Sequence, residues 1–298
     1  MSSYCKDKVA VVTGAGGTLC SAIAVDLAKK GAKVVLVGRT REKLEKVAAE
    51  IMGGRLSSTA DDPARGDTRP PAVRIEPADV TDETAMREIA DRVAAEWGPC
   101  RFLVNGAGGN NVKAMPTRLK FSDADYSPTE DSVKDRGFFD IDMEVFKSVL
   151  EINTLGTVIP SRIFALQMAK AGGGAILNFA SMNTWRPLTR NSAYAMSKAA
   201  IANWTMFFAQ YMAPAKVRVN AVAPGFMVNE RSRGYLMTPD GGLSPRGEQV
   251  MHHTPMGRFG EASDLLGCVN WLLDDSVSSF VTGITVPVDG GFLSSAGV

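Results

Sequence analysis

Short apolar runs alternate with stretches of helical spacing along most of this chain, and that alternation restricts its fold more than any other feature. "KVAVVTG" (8–14) leads into "LCSAIAVDLAKKG" (19–31), where Ile23, Leu27 and Ala28 recur at helical spacing before a terminating glycine. "AKVVLVG" (32–38) precedes the charged helix "TREKLEKVAAEIM" (40–52), and "AVRIEPADV" (72–80) precedes "DETAMREIADRVAAEWG" (82–98). Further apolar runs follow at "CRFLVNGAGG" (100–109), "GAILNFAS" (174–181) and "KVRVNAVAPG" (216–225). Strands alternating with helices predict an α/β fold, a doubly wound parallel sheet flanked by helices on both faces. Ligands of such a sheet sit beyond the carboxyl ends of its strands.

Three stretches break the rhythm. Residues 53–72 are polar and rich in Gly and Pro, which reads as a surface insertion. Residues 110–142 form a longer insertion just after a strand end, and 226–260 reads as an irregular substrate loop after another. Both lie where a crevice is expected, so both are candidate substrate walls. The whole of 1–298 reads as one domain.

Charge is nearly balanced, 33 basic against 32 acidic residues. That leaves no basic field for nucleic acid or an anionic membrane. The four cysteines (5, 20, 100 and 268) are far apart and lack metal-ligand spacing, which suits a reducing compartment. No leader pattern and no run of about 18 apolar residues is visible, so a cytoplasmic location is expected. His252 and His253 have no carboxylate or cysteine at ligand spacing, and no metal site is expected.

"SAYAMSKAA" (192–200) puts Tyr194 and Lys198 four residues apart, on one face of a helix. The spacing alone is weak, since "YCKDK" gives Tyr4 and Lys8 the same pattern. Context separates them: Ser181 ends the apolar run "AILNFAS", and Asn153 lies in the helical "VFKSVLEINTLG". A phenol has a pKa near 10, too high for a base at neutral pH. An adjacent ammonium stabilises the phenolate, so Lys198 would pull Tyr194 toward the working range.

These residues take their place in a longer series. T-G-A-G-G at 13–17, Asp79, "NGAG" at 105–108, Asn153, Ser181, Tyr194 with Lys198, "PG" at 224–225 and "VDGG" at 288–291 follow one another. In content and order the series resembles the short-chain dehydrogenase/reductase family over nearly the whole chain. The resemblance implies a single Rossmann-fold domain and hydride transfer between a nicotinamide and a carbonyl or secondary alcohol. It assigns Asn153, Ser181, Tyr194 and Lys198 to catalysis, with Ser181 holding the carbonyl oxygen and Asn153 securing a water that links Lys198 to solvent. It assigns Gly14, Gly16, Gly17, Thr18, Leu19, Asp79, Val80, Asn105, Gly106, Ala107, Pro224 and Gly225 to the dinucleotide, with Lys198 on the nicotinamide ribose beside Tyr194. It also implies a homo-oligomer, a tetramer or dimer, formed through the helices carrying Asn153 and Tyr194 and through the C-terminal segment.

The phosphate loop departs from the usual glycine pattern. Thr18 and Cys20 stand where glycines are expected; Thr18 offers a hydroxyl for a phosphate or a helix cap, and Cys20 is small enough to be tolerated. With "NGAGGNN", the long insertion and "HTPMGRFGE", this loop is similar to the branch of D-mannonate oxidoreductases (fructuronate reductases), implying a sugar-acid substrate. A polar anion needs cationic and amide partners, and Asn110, Asn111, Asn183, Arg231 and Arg233 are candidates, with Trp185 a candidate stacking surface. Other carbonyls remain alternatives, a keto-polyol, a 3-oxoacyl thioester or another ketone, as does a dinucleotide sensor without turnover. At the end of the second strand Gly38 takes the place of the acidic residue that accepts from a ribose 2′-hydroxyl, and Arg39 follows, with Thr40 and Arg41 as helpers. An arginine pairs with a 2′-phosphate, so the residues favour NADP(H), with NAD(H) as the alternative.

Overall fold

A computed structural model of the chain describes residues 3–53, 72–126 and 135–295, excepting the side chains of Glu230 and Arg231. The elements are β1 (Val9–Thr13), α1 (Thr18–Lys29), β2 (Lys33–Gly38), α2 (Arg41–Gly53), β3 (Val73–Pro77), α3 (Glu83–Trp97), β4 (Cys100–Asn105), α4 (Met143–Lys170) and β5 (Gly174–Phe179). There follow α5 (Ser192–Met212), β6 (Val217–Pro224), α6 (Glu230–Leu236), α7 (Pro245–His252), α8 (Ala262–Leu273), α9 (Asp275–Ser278) and β7 (Thr285–Val288).

The seven strands form one parallel sheet in the order β3-β2-β1-β4-β5-β6-β7. The order reverses between β1 and β4, where such a sheet opens a crevice at its carboxyl edge. Successive strand residues go to opposite faces: Ala10, Val12, Val34 and Leu36 join one core cluster, and Val9, Val11, Val35 and Val37 join the other. The first cluster is closed by α1, α2 and α8, through Ile23, Leu27, Leu44 and Leu272. The second is closed by α3, α4 and α5, through Met86, Phe164, Met168 and Phe208. A doubly wound α/β domain is the observed fold.

Helix α4 is long and apolar enough to cross a bilayer by length and composition, yet half of its most apolar stretch is buried inside the fold. It carries buried Asn153, Thr157 and Ser161 against the sheet. These feed a polar chain through the interior. Asn105 donates to Ser161 Oγ and to Asn178 Oδ1 (both 2.9 Å), and Asn178 donates to Thr205 Oγ1 (3.0 Å). The chain crosses β4, β5 and both flanking helices, and fixes their relative height.

The expected irregular loop at 226–260 is more ordered than its composition suggested. It contains α6, where Asn229 and Ser232 cap each other reciprocally, and α7, where Ser244 caps and Pro245 starts the first turn. Among the described residues, the insertion at 110–142 holds three short turns of 3₁₀-helix, at Val112–Ala114, Asp123–Tyr126 and Phe138–Asp140. Thr117 and Arg136 close its base, Thr117 N donating to Arg136 O (2.9 Å) and Arg136 N to Thr117 Oγ1 (2.7 Å). Nearly all of the insertion expected at 53–72 (residues 54–71), and residues 127–134 of this one, lie outside the described residues.

Candidate active site

The glycine-rich turn after β1 is shaped by close backbone approach. Gly14 has φ +66°, and a Cβ there would stand 2.7 Å from Gly106 C and Ala107 N. A Cβ on Gly16 would stand 2.8 Å from Lys43 Cβ. Both positions therefore require glycine. Thr13 completes the turn: its Oγ1 accepts from Gly106 N (3.1 Å) and Ala107 N (3.3 Å), tying β1 to the end of β4.

Thr18 does not cap α1. Gly17 occupies the N-cap position without a side-chain bond, and Thr18 is the exposed first helical residue. Leu19 is partly buried and packs against the core. Cys20 has a specific partner, because a Cβ on Gly106 would land on its Sγ. The thiol fills the space that the missing side chain leaves, which accounts for cysteine at this position. Burial pushes this thiol up to about 12, with Lys198 pulling the other way, so Cys20 is an inert packing group and not a reactive thiolate. Gly106→Ala is expected to destabilise the protein by about 1–3 kcal/mol in urea unfolding. Adding Cys20→Ala should restore most of that loss; failure of the rescue would mean the strain lies elsewhere.

Beyond the turn opens a cleft of about 280 Å³ lined by Gly14, Gly16, Gly17, Arg39, Asp79, Val80, Gly106 and Ala107, all of them residues assigned above to the dinucleotide. Thr40, Lys43, Gly108 and Ile152 line it too. Lys43 and Ile152 were invisible in the sequence. Each lies on a helix whose local pattern says only that it is amphipathic. Arg39 Nη1 lies 3.9 Å from Asp79 Oδ2, and Arg41 turns away to pair with Glu45. Asp79 accepts from Thr81 N (2.9 Å) and Thr81 Oγ1 (2.7 Å). Partial burial works to raise its pKa, but those bonds and Arg39 together hold it below the usual carboxylate value. Asn105 does not face this cleft: its side chain is buried in the interior chain described above. Pro224 ends β6, and Gly225 N donates to Val288 O (2.9 Å), so both shape the far end of the sheet edge.

Further along the same edge, the other group converges. Lys198 is buried, donates to Phe179 O (2.7 Å), and holds its ammonium 5.5 Å from the Tyr194 ring centre. Burial pushes its pKa down to about 8, with Cys20 opposing. Asn153 lies across from it on α4. Its Oδ1 accepts from Gly109 N (3.1 Å), and its Nδ2 donates to Gly109 O and to Val149 O (both 2.7 Å). Both amide protons are thus committed to backbone, leaving the second lone pair of Oδ1 for the expected water.

Ser181 and Asn183 form a unit that the sequence did not foresee. Ser181 Oγ accepts from Asn183 N (3.2 Å) and Asn183 Nδ2 (3.3 Å), while Asn183 Oδ1 accepts from Leu188 N (2.9 Å). A hydroxyl has two acceptor sites and one donor. With both acceptors filled, the Ser181 hydroxyl keeps its proton to donate. Asn183 was expected to touch substrate; it is 4 % exposed and sits beneath Ser181 instead.

The remaining candidates scatter. Asn110 Nδ2 donates to Asn191 Oδ1 (3.1 Å), joining the insertion to the N-cap of α5, and Asn111 caps the next turn. Trp185 is half exposed. Arg233 approaches Met237 Sδ (3.7 Å), and the Arg231 side chain lies outside the described residues, although its backbone is in α6. His252 and His253 pack edge to face, and His253 meets Phe292.

The comparisons agree with this geometry. The short chain dehydrogenase family matches residues 8–235. The uncharacterised oxidoreductase UxuB of Bacillus subtilis is 38 % identical over 293 residues, covering 98 % of this chain and 96 % of its own. The 2-dehydro-3-deoxy-D-gluconate 5-dehydrogenase of Dickeya dadantii is 29 % identical over 290 residues, covering 96 % of each chain. A Haemophilus influenza protein provisionally named D-mannonate oxidoreductase, solved with bound NAD, superposes with TM-score 0.86 at 35 % identity, over 98 % of this chain and 97 % of its own. The chain belongs to the short-chain dehydrogenase/reductase family, NAD(P)-dependent oxidoreductases of alcohols and ketones, and resembles the D-mannonate oxidoreductase branch.

Proposed function

We propose that this enzyme interconverts a sugar-acid ketone and its secondary alcohol, of the D-fructuronate and D-mannonate type, with NADP(H) as preferred dinucleotide and NAD(H) as the alternative. The observation that carries the chemistry is the convergence of Ser181, Tyr194 and Lys198 at the carboxyl edge of β5. When bound, the nicotinamide supplies or takes the hydride. Tyr194 gives its phenolic proton to the substrate oxygen in reduction and takes it back in oxidation. Lys198 stabilises the phenolate, and a charged lysine whose pKa is near 8 lies close to its working balance at neutral pH. Ser181 donates to the oxygen as charge develops there, held in that role by Asn183. Asn153 braces Gly109, and with it the segment after β4 whose Gly108 lies beside Lys198.

The sugar-acid substrate is supported by two relatives whose names specify sugar acids. For the cofactor, Arg39 and Lys43 line the cleft where a 2′-phosphate would lie, and Gly38 offers no carboxylate to repel it. The bound NAD of the Haemophilus influenza protein favours the alternative. Self-association is supported by exposed Leu155 and Leu166 on α4 and by Met206, Phe207 and Tyr211 on α5.

The test is D-fructuronate-dependent oxidation of NADPH and NADH by the purified protein. Turnover should favour NADPH in kcat/KM by about 10-fold or more, and Arg39→Ala or Lys43→Ala should erase that preference while leaving NADH within about twofold. Turnover with NADH alone overturns the cofactor reading. No turnover with either overturns the substrate.

A further inference from the structure

Two arginines that the sequence did not single out lie on segments that flank the strand ends, Arg190 just ahead of α5 and Arg246 at the start of α7. Arg190 immediately precedes the N-cap of α5, four residues ahead of Tyr194, and donates to Thr117 O (3.4 Å) at the base of the insertion. Arg246 is the second residue of α7, and its guanidinium lies 6.0 Å from the ring centre of Phe226, which follows the Pro224–Gly225 turn. The two approach from different segments and feel each other's charge. Burial first, and Arg190 second, hold Arg246 below the ordinary arginine value, with Tyr235 opposing. Among the described residues neither guanidinium reaches a carboxylate. Arg118, Arg218 and Arg258 all do, on Asp125 with Asp135, on Asp275 and on Asp264.

Two arginines that no described carboxylate neutralises are retained most readily where a ligand anion completes the arrangement. The backbone points the same way. Arg190 has φ +73°, one of three non-glycine residues with positive φ among those described. That conformation costs about 1 kcal/mol or more, and strain of this kind gathers at functional positions. The backbone turns there directly ahead of the catalytic helix, at a point that Asn110 and Asn191 also pin.

We propose that Arg190 and Arg246 clamp the carboxylate of the substrate, at the end of the molecule away from the carbonyl that Ser181 and Tyr194 receive. This rests on the sugar-acid reading above. In D-fructuronate the carboxylate and the ketone are separated by the sugar chain, so a carboxylate site must lie near Tyr194 without touching it. Arg190, about one helical turn upstream of Tyr194, and Arg246, beside the β6 turn, meet that demand from two sides. Phe226 beneath Arg246 keeps its guanidinium plane in place. Arg231, favoured by the sequence, is not needed.

The experiment compares D-fructuronate with D-fructose, which carries CH₂OH in place of the carboxylate. The wild type is compared with Arg190→Asn, chosen because asparagine tolerates positive φ, and with Arg246→Gln. Each variant should raise KM for D-fructuronate by about 10- to 100-fold with kcat little changed, and leave KM for D-fructose within about twofold. Calorimetric binding of D-mannonate against D-mannitol, with oxidised dinucleotide present, should show the same selective loss. Arg246→Lys should recover only part of the affinity, because it keeps charge without the planar fork. A wild type that prefers D-fructuronate, with variants that keep that preference, overturns the clamp and leaves the substrate reading standing. A wild type that binds the acid and its neutral analogue alike overturns both. Unchanged melting and unchanged dinucleotide affinity in each variant exclude general misfolding.

Discussion

Tyr194→Phe is expected to lower kcat by about a thousandfold while NAD(P)H affinity stays within about twofold of wild type. The substitution removes only the phenolic oxygen. The ring, 5.5 Å from the Lys198 ammonium, keeps its place on α5. Proton transfer by a positioned side chain contributes on the order of 10²–10⁴ in rate, and no described group on the same face of α5 duplicates it. Because the oxygen acts on a developing charge and not on ground-state binding, the loss belongs in kcat more than in KM. Single-turnover reduction of D-fructuronate, with dinucleotide binding followed by fluorescence, separates the two. A variant with wild-type kcat removes Tyr194 from the chemistry. A variant that no longer binds the dinucleotide makes its role structural.

Lys198→Met should abolish turnover and yet make the dinucleotide-free protein more stable at neutral pH. Burial holds Lys198 at about 8 against an ordinary 10.5. Below pH 8 the folded and unfolded states are both protonated, so the folded state carries the full cost of a buried charge, about 3 kcal/mol. Between about 8 and 10.5 the folded state has released the proton while the unfolded state still holds it. Wild-type stability therefore climbs with pH across that window, and above it the cost is gone. Losing the bond to Phe179 O offsets part of the gain, leaving about 1–2 kcal/mol in favour of methionine at pH 7. Thermal unfolding should show a melting point raised by roughly 2–5 °C at pH 7, with the gap closing toward pH 10. A gap that is absent at pH 7, or constant with pH, would place the lysine in a better-solvated setting than the structure shows.

The sheet was legible because strand periodicity is local. Val9 and Val11 part from Ala10 and Val12 in the written sequence as they do in the two core clusters. The Tyr194–Lys198 pair was legible for the same reason, as four residues on a helix share a face whatever surrounds them. Most of what escaped depends on contact between distant segments. Cys20 seemed a tolerated oddity until Gly106 was seen to leave room for its sulfur. Asn183 had the chemistry of a substrate ligand, and only the fold turned it under Ser181. Lys43 reaches the dinucleotide cleft because Gly16 lets α2 come close. Helices α6 and α7 were missed for a different reason: seven and eight residues are too few for a helical period to emerge.

The closed base of the insertion has a consequence for how such enzymes diversify. Thr117 and Arg136, with Arg118 chelating Asp135, join the two legs before the outer part begins. On the body side, the Asn110–Asn191 and Asn153–Gly109 bonds set the catalytic helix and strand end independently of anything past that junction. Doubling the length of a flexible loop costs only about 0.6 kcal/mol in closure entropy. Chain beyond that junction can therefore change between relatives, with new specificities sampled while the proton-transfer machinery inherits unchanged positions.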